Sequence, residues 1–324
     1  MKHLDRQVID QALQWLGTGA PIWLCTVLST YGSAPREPGS MLVATASGLS
    51  VGSLSGGCVE DDFLERLQAG QFTAAAEVVR YGEGGLAPTL ALPCGGVLDV
   101  LVERIAPSES SIAHFNAMAA ALGGQRCWVR QVSVPSGLHT LIDDPGTQGR
   151  VWVQDESIQI RVGPSRRLLV AGLSPVAEHC IDLGLMLGYE VVVCDPRGEL
   201  LSDAQSRWPQ VQWVPQLPAR FIESGGCHRA TAVVALTHDP RIDDLTMMEA
   251  VRSEAFYIGA MGSRRTSEKR RERLTRIGGL SPTVLQRISA PIGLALGSKT
   301  PAEIALAVMA DVVRTANGVC REAV

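Results

Sequence analysis

Three short stretches of this 324-residue chain set reactive side chains in turn-forming surroundings. In Gly52-Ser53-Leu54-Ser55-Gly56-Gly57-Cys58-Val59-Glu60, glycines allow successive backbone N–H groups to converge on an anion. Cys58 falls at the mouth of a following helix, where the dipole favours negative charge. Glu60, Asp61 and Asp62 occupy that helix's first turn; they suit the helix but repel an incoming phosphate, so a structural turn with an inert cysteine is the competing reading. Pro93-Cys94-Gly95-Gly96 sets a second thiol in a Gly-rich loop. Two such sulfurs could converge as soft metal ligands or as a sulfur relay, and spacing leaves their convergence open. Between Ser33 and Gly39, two prolines stiffen a loop around Arg36, whose guanidinium could clamp a phosphate or carboxylate or simply sit solvated.

Three more turns carry weaker signals. Gly259-Ala260-Met261-Gly262-Ser263-Arg264-Arg265 has the form of a phosphate-holding turn and leads into a helix with Lys269, Arg270, Arg271, Arg273 and Arg276. Glu268 and Glu272 interleave with these, so an internally paired, solvated face competes. Gly172-Leu173-Ser174-Pro175-Val176-Ala177 follows an apolar run at 168–171, and Asp195 closes the next one. That is the context of a dinucleotide fingerprint, with a helix N-terminus for pyrophosphate and an acid for a ribose hydroxyl. Ser174, however, replaces the glycine that admits the pyrophosphate, and Pro175 removes an N–H donor. Thr237-His238-Asp239-Pro240 follows the apolar run 232–236, which puts His238 at the carboxyl rim of a sheet. No GxSxG, HExxH or P-loop pattern occurs.

The elements that must position these residues are legible in the periodicity. Apolar residues at helical spacing over 8–16 predict a first helix, and 22–28, 41–44, 77–81 and 97–105 read as strands around the loops just named. Residues 58–70 read as a helix with Val59, Phe63, Leu64 and Leu67 on one face. Residues 106–122 predict a connecting helix, and 125–163 three or four short strands that either complete the first domain or bridge to the next. From residue 166, strands alternate with helices, the pattern of a doubly wound parallel sheet. Thr300-Pro301-Ala302-Glu303 marks the start of a final helix with an N-cap, a first-turn Pro and a capping-box Glu. The expected fold is α/β in two domains. Residues 1–105 form an N-terminal mixed α/β domain that would hold a cofactor, 106–164 form the connecting helix and short strands, and 165–324 form a Rossmann-like domain.

Composition narrows the function classes. With 46 % hydrophobic and 19 % charged residues the chain folds. Against 33 acidic residues, 29 Lys and Arg leave a charge of −4, without the basic field that gathers nucleic acid. The polar N-terminus and the lack of a long apolar run predict a cytoplasmic protein with no membrane partner. Eight cysteines without a CxxC pair suggest neither a zinc site nor a disulfide framework.

Taken in order, Gly32-Ser33-Ala34-Pro35-Arg36, the run 52–60, Pro93-Cys94-Gly95-Gly96, Tyr257-Ile258-Gly259 with Gly262-Ser263-Arg264-Arg265, and Pro291-Ile292-Gly293-Leu294 with Thr300-Pro301-Ala302-Glu303-Ile304-Ala305 resemble the XdhC/CoxI family. The resemblance spans residues 20–314. It implies an accessory protein for molybdenum hydroxylases such as xanthine dehydrogenase or aldehyde oxidoreductase, a maturation chaperone more than an enzyme. Such a protein binds molybdenum cofactor as cargo, as molybdopterin or molybdopterin cytosine dinucleotide, assists its sulfuration and inserts it into the apoenzyme. Implied partners are the apo-hydroxylase, a cysteine desulfurase and a cofactor nucleotidyltransferase, with a homodimer conceivable. For that role, Arg36, Ser53, Ser55, Gly56, Gly57, Cys58, Glu60, Cys94, Gly95, Gly262, Ser263 and Arg264 are the expected cofactor-binding residues, with Cys58 and Cys94 near the molybdenum. Family members commonly carry a Gly-x-Gly-His-type turn where this chain has Gly172-Leu173-Ser174-Pro175, a departure that puts a nucleotide role of that turn in doubt. The competing readings are an NAD(P)-dependent oxidoreductase using the Rossmann-like domain, and an adaptor that docks an acidic partner through 264–276.

Overall fold

Seven consecutive positions at the start of β1 (Ile22–Tyr31) are buried, because this strand lies in the middle of a sheet covered on both faces. The structure, a computed structural model, describes residues 4–31, 36–86, 96–124, 126–134, 136–144 and 150–320. Its contacts divide into two compact units, Leu4–Pro164 and Ser165–Val324.

In the first unit, β1 is flanked by β2 (Met41–Ala44), β3 (Ser50–Gly52), β4 (Ala76–Tyr81) and β5 (Val97–Ile105), in the antiparallel order β3-β2-β1-β5-β4. The two-residue period of the strand sends Ile22 and Leu24 to one core and Trp23, Cys25 and Val27 to another. α1 (Leu4–Gly17) closes the first core through Val8, Ile9, Ala12 and Leu16, and α2 (Cys58–Gln68) closes the second through Val59, Phe63 and Leu67. The register brings three connections to one end of the sheet. Tyr31 pairs with Val97 and Tyr81 with Leu98, while Gly52 pairs with Leu42 and the Ser53 amide bonds Met41 O at 3.1 Å. The links β1–β2, β3–α2 and β4–β5 therefore all leave from the same edge. Gly52 sits there at φ +117°, and any Cβ would overlap the Met41 carbonyl.

Residues 106–164, expected to connect the domains, belong to the first unit instead. α3 (Glu109–Leu122) starts at a Ser108 cap and buries Phe115, Met118, Ala119, Ala121 and Leu122 in the core that holds α1. The four strands β6 (Trp128–Ser133), β7 (His139–Asp143), β8 (Val151–Gln154) and β9 (Ser157–Val162) make their own antiparallel sheet, ordered β7-β6-β9-β8. Val132, Ile158 and Ile160 close over Leu28, Ala76 and Leu101. The alternating burial of β9 supplies the one apolar face that such a sheet needs to pack.

The second unit is the doubly wound sheet that the alternating pattern implied. It comprises β10 (Arg167–Ala171), α4 (Pro175–Met186), β11 (Glu190–Cys194), α5 (Gly198–Gln205), β12 (Gln212–Val214), α6 (Pro218–Phe221), β13 (Thr231–Ala235), α7 (Pro240–Ala250), β14 (Tyr257–Ala260), α8 (Arg264–Arg276), α9 (Pro282–Leu285), β15 (Ile288–Ser289) and α10 (Pro301–Ala316). All strands are parallel, in the order β12-β11-β10-β13-β14-β15. Leu168, Val170, Ala232 and Val234 face α4 and α10, whereas Leu169, Ala171, Val233 and Ala235 face the α7 side with Met247 and Leu274. Central strands buried on both faces read as continuous apolar runs, which is why they were recognisable without tertiary information. Among the described residues, no helix is long and apolar enough to cross a membrane.

Candidate functional site

The turn between β3 and α2 folds onto a single carboxylate. Glu60 Oε1 accepts from the Ser53 hydroxyl (2.8 Å) and the amides of Leu54 (2.8 Å), Ser55 (3.0 Å) and Gly56 (2.9 Å). Its Oε2 accepts from the Ser55 hydroxyl (2.6 Å) and the Gly57 amide (3.0 Å). Burial pushes this carboxyl up, but the Ser55 hydroxyl, the Ser55 and Gly56 amides and the Ser53 hydroxyl outweigh it and hold the group at about 2. The glycine-rich concavity does hold an anion, as its composition suggested, but the anion is the chain's own. This corrects the expectation of free backbone donors for a phosphate. Nor does Glu60 stand on the helix repelling one, because its charge is spent inside the turn.

The result is a rigid pedestal for Cys58. The thiol occupies the first position of α2, half-buried, directly after the Glu60-bound Gly57. Asp62 turns away to Arg66 (2.6 Å), leaving the helix mouth less acidic than its sequence. Arg36 lies in the link between β1 and β2, half-buried and without an ion-pair partner among the described residues. Cys94 and Gly95 fall outside the described residues; Gly96, which follows them, stands at the same sheet edge, where a Cβ on Gly82 would overlap its carbonyl. The topology thus brings the Arg36 link, the 53–57 turn and the flanks of the Cys94 loop to one edge. Among the described residues, no group of three or more His, Cys, Asp or Glu side chains could hold a metal ion.

Gly262, Ser263 and Arg264 belong to the second unit, after β14. Ser263 caps α8 by accepting from the Thr266 amide (3.2 Å), and Arg264 is exposed. The basic face of α8 pairs across to α7 instead of along itself. Arg270 is buried and binds Asp243 (3.1 Å), Asp244 (2.9 Å) and the Met261 carbonyl (3.0 Å), and Arg273 binds Asp244 (2.6 Å). The turn at Gly172 keeps the Rossmann geometry, with φ +87° and the glycine against Thr237. Its Gly172, Leu173 and Ala177 amides are engaged within the chain. Ser174 caps α4 through the Ala177 amide (3.2 Å), and Asp195 accepts from the Leu173 amide (2.7 Å) and from Arg197, whose guanidinium also reaches the Leu173 carbonyl (3.0 Å). Burial raises the Asp195 carboxyl, yet the Arg197 side chain and the two amides bring it below its ordinary value. An acid held this way is engaged internally, which weakens the oxidoreductase reading.

A cleft of about 400 Å³ opens at the carboxyl edge of the parallel sheet, lined by Val176, His238, Gly262, Ile292, Leu294 and Leu296 among others. His238 is exposed and holds a left-handed backbone at φ +64°. Its place at the rim was visible in the sequence; the loop after β15 was not, since 290–299 has neither helical nor strand period. The role of Glu60 has a signal in the sequence. A Glu three residues past a turn glycine is a capping-box spacing, in which the side chain folds back on the preceding amides.

Two family profiles match the chain: the XdhC and CoxI family over residues 15–82 and the XdhC Rossmann domain over 168–312. Among curated proteins, one from Bacillus subtilis described as a probable xanthine dehydrogenase subunit is 25 % identical over 317 residues, covering 90 % of this chain and 92 % of that protein. The molybdenum cofactor insertion chaperone PaoD of Escherichia coli is 27 % identical over 311 residues, covering 95 % and 87 % respectively. A crystal structure described as a xanthine dehydrogenase from Bacillus halodurans superposes with a TM-score of 0.71 across 98 % of both chains at 21 % identity, a likeness of fold. The two profiles match in chain order, one on the strands and turns that present Cys58 and the other on the doubly wound sheet, so the chain belongs to the XdhC and CoxI family.

Proposed function

We propose that this protein carries molybdenum cofactor and inserts it into a molybdenum hydroxylase such as aldehyde oxidoreductase or xanthine dehydrogenase. The observation that carries the reading is the convergence at one sheet edge of the Arg36 link, the Glu60-organised turn bearing Cys58, and the flanks of the Cys94 loop. The similarity to PaoD supports it. The cargo brings its own dithiolene sulfurs, so the protein need not supply a complete ligand cage. A small number of soft donors, Cys58 and Cys94, is the appropriate complement. Arg36 takes a phosphate through its planar fork. Ser53, Ser55, Gly56, Gly57 and Glu60 act on the cargo indirectly, by fixing the position of the thiol.

The cargo is held while a cysteine desulfurase replaces its terminal oxygen with sulfur, and it is then passed to the apo-hydroxylase. A cytosine dinucleotide form would come from a nucleotidyltransferase. Purification from cells that make the cofactor tests this reading, with molybdenum, pterin and cytidine measured on the isolated protein. Stoichiometric molybdenum and pterin are expected, falling severalfold in Cys58→Ala and in Cys94→Ala while the melting temperature holds. Wild-type protein free of pterin would overturn the proposal.

A further inference from the structure

We propose that the cleft at the carboxyl edge of the second unit binds one nucleoside 5′-phosphate, and that this, instead of the Gly172 turn, is the domain's ligand site. At about 400 Å³ the cleft lies at the small end of the range for ligand sites, with room for a single nucleotide. It opens between the loops after β13, β14 and β15, outside the carboxyl ends of parallel strands, where open α/β sheets take their ligands. Val176, Ile292, Leu294 and Leu296 give it apolar walls, and Leu296 remains 56 % exposed, an apolar side chain that a planar ring would cover. Polar edges come from His238, set on the wall by its left-handed backbone, and from Ser298.

Cations adjoin the lining residues along the chain. Arg264 and Arg265 follow the lining residue Gly262, and Lys299 follows Ser298; all three are exposed and have no side-chain partner among the described residues. The nearby anions are engaged elsewhere. Asp239 pairs with Arg241 (2.8 Å), and Glu303 accepts the Lys299 and Thr300 amides. An apolar slot with unpaired cations at its opening fits a heteroaromatic base carrying a phosphate, the base between the leucines and the phosphate on Arg264 and Arg265. The Gly172 turn cannot do the same, because its Asp195 and its helix cap are already bonded within the chain. The proposal rests on the cargo reading only for one of the two sources of the nucleotide, a dinucleotide form of the cargo or a free nucleotide.

Calorimetric titration of the full-length protein with cytidine 5′-monophosphate is the test, with molybdenum content measured on the same preparations. Saturable binding is expected, weakened at least tenfold in Leu296→Asp and in the double variant Arg264→Glu/Arg265→Glu, both at exposed positions, with melting temperatures unchanged. No binding to cargo-free wild type, variants that bind like wild type, or displacement by an equal concentration of inorganic phosphate would each overturn it. If cargo-loaded protein titrates only after release of its cargo, the site holds the cargo's nucleotide; if loaded and empty protein titrate alike, it takes a free one, and either result upholds the site. Cytidine phosphate binding without any molybdenum on the wild type would overturn the proposed function and leave the site standing. Molybdenum on the wild type, with no nucleotide binding even after the cargo is released, would do the reverse.

Discussion

At the residue scale, Glu60 shows how one side chain can decide what a loop is for. Six donors meet its carboxylate, so Glu60→Ala strands four amides and two hydroxyls. Hydrogen bonds to a charged acceptor are each worth about 1.5–3 kcal/mol, but a half-buried turn recovers water, and a net loss of about 2 kcal/mol is expected in a denaturant titration. The pH dependence has a definite sign. Folding lowers this carboxyl from 4.5 to about 2, so its contribution is present above pH 4.5 and is lost as pH falls toward 2. Glu60→Gln should flatten the stability profile in that window, and an unchanged profile would show that the carboxylate is not what holds the turn. A second consequence is functional: the Glu60→Gln protein should lose cargo along with Cys58→Ala, since the thiol's pedestal is then loose.

Among the helices and turns, α4 shows most clearly how context changes the meaning of a residue. By spacing, Ser174 stands where a fingerprint wants glycine, while in the fold it is an N-cap that accepts the Ala177 amide. Replacing an N-cap serine with glycine costs only a few tenths of a kcal/mol, so Ser174→Gly restores a Gly-x-Gly spacing at little expense. We expect neither the wild type nor the variant to bind NAD in a fluorescence titration, because Asp195 stays tied to Leu173 and Arg197. Tight binding would mean that the serine alone had closed the turn. In α8 the relation is reversed. Its Arg and Glu residues suggested an internally paired surface, yet Arg270 is buried on Asp243 and Asp244, so Arg270→Ala should cost several kcal/mol where a solvated pair costs under one. A thermal melt separates the two.

For the whole molecule, the first unit is cross-linked by a buried polar cluster that no periodicity announces. Arg130 grips Glu103 with both terminal nitrogens (2.7 and 2.9 Å) and donates from Nε to His114 Nε2 (2.9 Å), tying β5, β6 and α3 together. Burial, the Arg130 guanidinium and His139 lower His114 from 6.5 to about 3. The unfolded chain therefore binds a proton that the folded unit refuses, and stability declines as pH falls from 6.5 toward 3, with a flat region above. His114→Gln should reduce that slope, read by amide exchange in the first unit; His139 lies beside it and His228, in the second unit, is also lowered, to about 4, so the readout must be local. Each unit has its own cores, so residues 165–324 expressed alone should unfold cooperatively. A fragment that melts without a transition would show that its cores are incomplete.

Local pattern encodes one part of this protein's architecture. The continuous apolar runs of β10, β11 and β13 could only be interior strands, the period of residues 8–16 could only bury one helix face, and the Thr300-to-Glu303 spacing caps α10 as expected. The order of short motifs along the chain was enough to reveal the family. Which donors remain free was decided only by the tertiary structure. Glu60 fills the concavity meant for a phosphate, Arg197 occupies the acid meant for a ribose, and residues 106–164 pack on the first sheet, where the strand pattern left open whether they complete that domain or bridge to the next. The reason is physical: helical and strand periods report which face of an element is buried. Whether a polar group is spent or available depends on partners brought near it by folding, such as Arg130 on Glu103 across 27 positions of chain.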